Sequence, residues 1–145
     1  MTDTNNVPQA VSAAAGRQDT AVPELAYLGD AVMELCIRER LVRLGLCGSA
    51  NLNRAALSYV KATAQSGAVE RLLPILTPEE EAVYRLGRNA GHGKNTPRSA
   101  TVAEYRRATG LETLFGRLWL DGRKDRIAEL IDAAYPDLNT EKTEA

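Results

Sequence analysis

Residues 25–32 read Leu-Ala-Tyr-Leu-Gly-Asp-Ala-Val, an apolar segment interrupted by one acid. Apolar residues recur here at the spacing of an α-helix, and the predicted buried stripe consists of Leu25, Leu28, Val32 and Leu35. Asp30 stands out because nearly all of its neighbours are apolar. An ionised carboxylate without a partner in such surroundings is costly, so Asp30 must be paired, protonated or bound to a cation.

A second acid, Glu112, has the same character on a later helix. Helical spacing places it where a core side chain is expected, on one stripe with Val102, Tyr105, Thr109, Gly116 and Trp119. Two inward acids on different helices could share a hard divalent cation such as Mg²⁺, which prefers oxygen ligands and keeps several waters. The alternative left open is that each acid pairs with an arginine, for example Glu112 with Arg106 or Arg107 of a neighbour.

The helices that carry the two acids also contain Gly29, Gly110 and Gly116. A glycine inside a helix costs about 1 kcal/mol relative to alanine, so these positions need a reason. We predict that another backbone approaches closely at them, which would bring Asp30 near Glu112. Glu34, one turn after Asp30, is interpreted as a solvated acid paired with Arg38, with a contribution to the site as the second possibility.

The rest of the sequence predicts a single all-α domain, a compact helical bundle. No segment alternates apolar and polar residues in the manner of a strand. Residues 1–22 are predicted to form a flexible leader, residues 23–136 the domain and residues 137–145 a flexible tail. Thr77 and Thr101 each precede a glutamate by three residues, which is the pattern of a capping box. Helices are predicted at about residues 23–44, 52–63, 65–73, 78–88, 101–120 and 123–135.

Composition excludes several classes of protein. The chain has 145 residues, 44% of them hydrophobic and 26% charged, which is typical of a soluble globular domain. No apolar run approaches the roughly 20 residues that span a bilayer, and the N-terminus has no secretory signal pattern. Cys36 and Cys47 show no metal-ligand spacing, so we expect reduced thiols in a cytoplasmic protein. The net charge of −1 means that any RNA-binding surface has to be local.

Such a local surface is predicted around the glycine-rich segment 87–99. Basic residues gather there and in the flanking helices, namely Arg85, Arg88, Lys94, Arg98, Arg106 and Arg107. Proteins recognise double-stranded RNA mainly through its shape, 2′-hydroxyls and phosphates, which suits a basic loop. The alternative is a solvated connector, and the single histidine, His92, is interpreted as incidental to catalysis. The candidate RNA-binding residues are Arg85, Arg88, Asn89, His92, Lys94 and Arg98.

Two segments carry a resemblance to the ribonuclease III family. Residues 23–32 resemble its signature, in which a Leu-Gly-Asp turn lies in the first core helix, and residues 109–116 look like its second catalytic segment. The chain is more similar still to the Mini-ribonuclease III branch, which lacks a separate double-stranded-RNA-binding domain. That likeness also includes residues 59–65 and 85–90 and covers about residues 22–134.

The resemblance implies a metal-dependent endoribonuclease that cleaves double-stranded RNA as a two-fold homodimer. It implies that Asp30 and Glu112 are the catalytic residues and the ligands of Mg²⁺, with Mn²⁺ as a possible substitute. It also implies that the segment 87–99 contacts the duplex, that cleavage leaves 5′-phosphate and 3′-hydroxyl ends, and that the RNA is a large-subunit ribosomal RNA precursor. Three acids of full-length ribonuclease III are absent, because their positions fall on Pro23, Ala26 and Thr109.

Two other functions compete with this interpretation. A catalytically inactive scaffold that binds RNA or ribosomes would have no use for acids in apolar stripes. A helical metal-dependent nucleotide hydrolase would need either several histidines or paired Glu-x-x-Glu helices. The chain has one histidine, and its acidic run at residues 79–81 lies at a predicted helix start, where acids favour the helix dipole.

Overall fold

A computed structural model describes residues 20–90 and 100–139. All regular structure in these two ranges is helical, which confirms the all-α class. Residues 1–19, 91–99 and 140–145 lie outside the described residues, and with them most of the predicted leader and tail. The described α-helices are α1 (Val22–Arg43), α2 (Ser49–Val60), α3 (Ala62–Leu72), α4 (Pro78–Ala90), α5 (Val102–Leu120) and α6 (Lys124–Ala134), with short 3-10 turns at Leu73–Ile75 and Pro136–Leu138.

Helix α5 is the centre of the domain. It packs most extensively on α1, then on α4 and α3. Its residues Leu114 and Phe115 are fully buried, as are Ile37 of α1 and Leu130 and Ile131 of α6. Every other helix of the core is therefore positioned by its contact with α5 or with a neighbour of α5. Within the described residues, no helix is both long enough and apolar enough to cross a membrane.

Glycines set the distance between α1 and α5. A Cβ atom added to Gly29 would overlap the carbonyl oxygen of Glu112 and lie 2.8 Å from the backbone nitrogen of Gly116. In turn, a Cβ atom added to Gly116 would overlap the carbonyl oxygen of Leu25. The predicted close approach of two backbones is confirmed here. Gly110 also permits a close approach, but to α4, where an added Cβ would lie 2.7 Å from the carbonyl oxygen of Tyr84.

Both predicted capping boxes are present. The backbone N–H of Glu104 donates to the Thr101 hydroxyl at 3.1 Å, and the N–H of Thr101 donates to the Glu104 carboxylate at 2.9 Å. Thr77 and Glu80 form the same pair of bonds at 3.2 and 2.9 Å. Because each box satisfies backbone N–H groups that a helix start leaves free, the starts of α4 and α5 are encoded locally.

Glu80 also belongs to a buried ion pair. Arg126 of α6 donates to both Glu80 carboxylate oxygens at 2.9 Å and to the carbonyl oxygen of Ile75 at 2.8 Å. The hydrogen bonds from Arg126 hold the pKa of Glu80 below its usual range, although burial opposes them. This acid therefore joins α4 to α6 and has a structural role.

Several local predictions were wrong. Leu35 is 57% exposed, and Met33, Ile37 and Leu41 are buried in its place. The reason is the contact at Gly29, which turns that face of α1 toward α5 and leaves Leu35 outside. The break between α2 and α3 falls at Lys61, whose backbone is extended, instead of near residue 64. Helix α2 also begins three residues early, directly after Gly48 with its φ of 89°.

The two ends of the described chain differ slightly from the predicted domain limits. Helix α1 begins at Val22, one residue inside the predicted leader. At the other end, residues 137 and 138 belong to the Pro136–Leu138 turn, and Leu138 is buried. The hydroxyl of Tyr59 donates to the Asp137 carboxylate at 2.6 Å, so this turn packs against the end of α2.

The glycine contact predicts a strong effect of one methyl group. Gly29→Ala should lower the free energy of unfolding by about 1–3 kcal/mol or more, because the added Cβ meets backbone that cannot move independently of α5. The matched control is Gly67→Ala in α3, where the nearest atom to an added Cβ is a flexible arginine side chain 3.7 Å away. That variant should be neutral or up to about 1 kcal/mol more stable. Urea unfolding at one protein concentration measures both, and an unchanged midpoint for Gly29→Ala would contradict the prediction.

Candidate active site

Asp30 and Glu112 meet across the contact between α1 and α5. Gly29 lies against the backbone of Glu112, so the next residue of α1, Asp30, is held beside the Glu112 side chain. The carboxyl groups of Glu112 and Asp30 lie within hydrogen-bonding distance of each other. The prediction that these acids lie near each other is therefore confirmed.

The two acids differ in exposure. Glu112 is half-buried, whereas Asp30 is exposed in the single chain, so the expectation of two inward acids was wrong for Asp30. The physical reason is the turn of the helix. Asp30 follows Gly29 by one residue, or about 100° around α1, and therefore lies at the rim of the contact and not inside it.

The surroundings of Glu112 oppose its ionisation. Burial, the negative charge of Asp30 and the hydrogen bond to Asp30 together raise the pKa of Glu112 to about 8, with burial as the largest cause. A hydrogen bond from the Gln65 side chain acts in the opposite direction. Near neutral pH this carboxyl group therefore retains a proton unless a positive charge compensates its ionised form.

Gln65 is a site residue that the sequence reasoning missed. It lies on α3, is 1% exposed, and bonds Glu112 through its amide. Its amide oxygen is buried and has no hydrogen-bond partner among the residues that the structure describes. One signal was available in the sequence: Gln65 opens the buried stripe of α3 that continues with Ala68, Val69 and Leu72, so a polar residue occupies a core position.

The side chains at this point suit a hydrated hard cation. They offer carboxylate and amide oxygens, which are the donors that Mg²⁺ and similar ions prefer. Within residues 20–90 and 100–139, no group of three or more histidine, cysteine, aspartate or glutamate side chains is placed to hold a metal ion. A cation bound by Asp30 and Glu112 would therefore keep much of its water shell.

The alternative partners for the acids are not used in the described part of the chain. Glu34 pairs with Arg38 at 2.5 Å, which confirms its interpretation as a solvated acid. The ion pairs between described residues do not include Glu112, and Arg107 donates instead to the Ser66 hydroxyl at 3.1 Å. The hydroxyl of Thr109 donates to the carbonyl oxygen of Tyr105 in its own helix at 3.0 Å.

Three candidate RNA-binding residues lie in the last turns of α4. Arg85 is exposed and pairs with Glu81 at 2.9 Å, while Arg88 lies 5.8 Å from the centre of the Tyr84 ring and donates to Asn89 at 3.2 Å. Gly87 fixes this end of α4 against α5, since an added Cβ would overlap the side chain of Thr113, the neighbour of Glu112. The remaining candidates, His92, Lys94 and Arg98, lie outside the described residues.

Comparison with known proteins identifies the family to which the sequence is similar. Residues 23–123 match the ribonuclease III domain family. The chain is 50% identical over 111 residues to a Mini-ribonuclease 3 of Symbiobacterium thermophilum, covering 76% of this chain and 84% of that protein. It is 41% identical to a Mini-ribonuclease 3 of Brevibacillus brevis, covering 77% and 82% of the two chains.

A solved structure agrees with these sequence relatives. An X-ray structure of a Fusobacterium nucleatum protein superimposes with a TM-score of 0.70 at 32% identity, covering 79% of this chain and 91% of the other. The matched range contains both α1 and α5 and therefore both acids. The chain belongs to the ribonuclease III family, in its Mini-ribonuclease III branch, and is an endoribonuclease.

Proposed function

We propose that this endoribonuclease cleaves double-stranded RNA at a divalent-metal site formed by Asp30 and Glu112. The observation that carries the proposal is the pairing of a half-buried glutamate with a second acid, and with no arginine or lysine among the described residues. The family acts on double-stranded RNA and is generally dependent on a divalent metal ion. We propose Mg²⁺ as the ion, with Mn²⁺ as a substitute, and the cytoplasm as the place of action.

The protein residues have separate tasks at this site. Asp30, exposed at the rim, and Glu112, half-buried, each supply carboxylate oxygens from a different helix. When bound, Mg²⁺ promotes the ionisation of water and stabilises negative charge on a phosphodiester. Asp30 and Glu112 would hold the ion at the α1–α5 surface, and its positive charge would favour the ionised form of Glu112 by offsetting the repulsion from Asp30.

The reaction is hydrolysis of one phosphodiester bond. Water attacks phosphorus in line with the leaving 3′-oxygen, the bond between phosphorus and that oxygen breaks, and a proton passes to the oxygen. The products carry 5′-phosphate and 3′-hydroxyl ends. The exposed position of Asp30 supports cleavage of a duplex at this site. A duplex is too wide to enter a closed pocket and has to reach the acids from the surface.

The end of α4 and the segment 91–99 form the proposed RNA contact. Arg85, Arg88 and Asn89 belong to a helix end that Gly87 holds on α5. His92, Lys94 and Arg98 follow in the connecting segment and complete the proposed set. The likeness to the Mini-ribonuclease III branch supports a ribosomal RNA precursor, that of the large subunit, as the natural substrate.

We also propose that the enzyme acts as a two-fold homodimer. Tyr27 and Leu35 on α1 are 84% and 57% exposed, and Ala31 between them is exposed as well. These three residues follow one another at intervals of four and so form one apolar stripe on α1. The apolar face of α5, in contrast, is occupied by the core of the chain itself, so the stripe on α1 is the better candidate surface. Because Asp30 borders this stripe, pairing would place two sites near the dimer axis.

Removing either acid should greatly reduce the rate of RNA cleavage. Asp30→Asn and Glu112→Gln should each lower the rate of cutting a labelled RNA duplex with Mg²⁺ by at least about 100-fold, because several kcal/mol of transition-state stabilisation depend on the ion. Excess EDTA should stop the wild-type protein. The control is Glu129→Gln, which removes an exposed acid of α6 that pairs with Arg126 and should leave the rate unchanged. A wild-type protein that binds duplexes but cuts none with Mg²⁺ or Mn²⁺ would contradict the proposal.

The raised pKa of Glu112 predicts an unusual dependence of stability on pH. In EDTA the folded protein keeps a proton on Glu112 up to a pH of about 8, whereas the unfolded chain releases it near the ordinary glutamate pKa of 4.5. The contribution of Glu112 to stability is therefore complete below pH 4.5 and is lost as the pH rises toward 8. Glu112→Gln lacks this loss, so its stability relative to the wild type should rise by about 1–3 kcal/mol between pH 5 and pH 8.

Thermal unfolding in EDTA at several pH values measures this difference. Adding Mg²⁺ at pH 8 should stabilise the wild type and have little effect on Glu112→Gln. A difference between the two proteins that stays constant from pH 5 to pH 8 would show that Glu112 is ionised throughout.

If the apolar stripe on α1 is the dimer surface, a charge placed in the stripe should dissociate the dimer. Leu35→Glu should shift the protein from dimer to monomer in sedimentation velocity experiments, because it places a charge where apolar surface is buried. Leu57→Glu is the matched control, since Leu57 is 62% exposed and belongs to α2 instead of the stripe on α1. A monomeric wild-type protein, or a dimeric Leu35→Glu variant, would contradict the assignment of this surface.

A further inference from the structure

Gln65 combines three properties that packing does not explain. Its side chain is 1% exposed, its amide bonds the Glu112 carboxyl group, and its amide oxygen lacks a hydrogen-bond partner among the described residues. A buried polar atom without a hydrogen-bond partner destabilises the folded protein, because it has lost its hydrogen bonds to water. An apolar side chain of similar size would fill the same space without that cost. Core packing alone therefore does not account for an amide at this position.

The geometry of the amide places the unpartnered oxygen at the acid pair. Nitrogen and oxygen of the Gln65 amide are bonded to the same carbon atom, and the group is planar. Because the nitrogen donates to Glu112, the oxygen of the same group lies within the immediate surroundings of that carboxyl. Amide oxygens are accepted ligands of hard divalent cations, either directly or through a bound water.

We propose that Gln65 is the third protein residue of the cation site, with its amide nitrogen positioning the Glu112 carboxylate and its amide oxygen serving as an oxygen donor to the hydrated ion. The inference rests on the proposed metal-dependent function. Three helices, α1, α3 and α5, then each contribute one residue to the site. The buried oxygen obtains its partner when the ion and its waters are bound.

A neutral third donor suits the charge balance of this site. Asp30 and Glu112 together carry two negative charges when both are ionised, which one divalent cation neutralises. Without the ion, a third carboxylate would add further repulsion between the acidic side chains. The amide supplies an oxygen without that repulsion, and its N–H stabilises the ionised form of Glu112.

The test is Mn²⁺ binding to the full chain without RNA, measured from the EPR signal of the free ion at pH 8. Gln65→Met removes both polar atoms at similar volume and should weaken Mn²⁺ binding by about 10-fold or more. Gln65→Glu keeps oxygen donors and adds a charge, so it should bind Mn²⁺ at least as tightly as the wild type. Ser66→Ala is the control, because the neighbouring Ser66 is also buried but bonds Arg107, and it should leave the affinity unchanged.

The outcomes separate this inference from the proposed function. If Asp30→Asn loses Mn²⁺ binding while Gln65→Met binds as tightly as the wild type, the role of Gln65 is overturned and the site stands. If Asp30→Asn binds Mn²⁺ normally, the metal site itself is overturned. Thermal unfolding in EDTA checks that each variant folds. Should Gln65→Met not fold, Gln65→Glu decides, and weaker Mn²⁺ binding by that variant overturns the inference.

Discussion

The backbone contact between α1 and α5 at Gly29 and Gly116 is the constraint on which the rest of the structure depends. Two helices approach this closely only where both lack a Cβ atom at the crossing point. The contact decides which face of α1 is buried and which is exposed. It also determines where Asp30 and Glu112 lie, since Asp30 follows Gly29 in the chain and the backbone of Glu112 lies against Gly29. The contact that holds the two helices together in the folded chain therefore also brings the two acids together.

Two glutamates of this chain, Glu80 and Glu112, have different surroundings and therefore different pKa values. Glu80 is buried beside Arg126, and its hydrogen bonds hold its pKa below the usual range. Glu112 is half-buried beside Asp30, and burial together with the negative charge of Asp30 raises its pKa to about 8. The first acid is satisfied by the protein alone and joins two helices. The second is not satisfied by the protein alone, which is the property expected of a group that binds a cation.

The sequence predicted what depends on local chemistry and missed what depends on distant contacts. The capping boxes at Thr77 and Thr101 are local, and so is the cost of a glycine inside a helix, so the helix starts and the pairing of Asp30 with Glu112 could be anticipated. The exposure of Leu35 could not, because α1 is apolar on several sides and periodicity does not choose among them. Gln65 lies far from Glu112 in the chain, and only the packing of α3 on α5 brings the two together.

Asp30, Gln65 and Glu112 all lie within helices, and none of them belongs to a connecting segment. The segments between helices can therefore change in length and composition while the chemistry at the centre is preserved. Residues 91–99, which join α4 to α5, are the clearest example, because they carry Lys94 and Arg98 but no acidic residue. In evolutionary terms, the proposed cleavage site and this part of the proposed RNA contact lie in separate segments, so exchange of a surface segment can change the second while the first is kept.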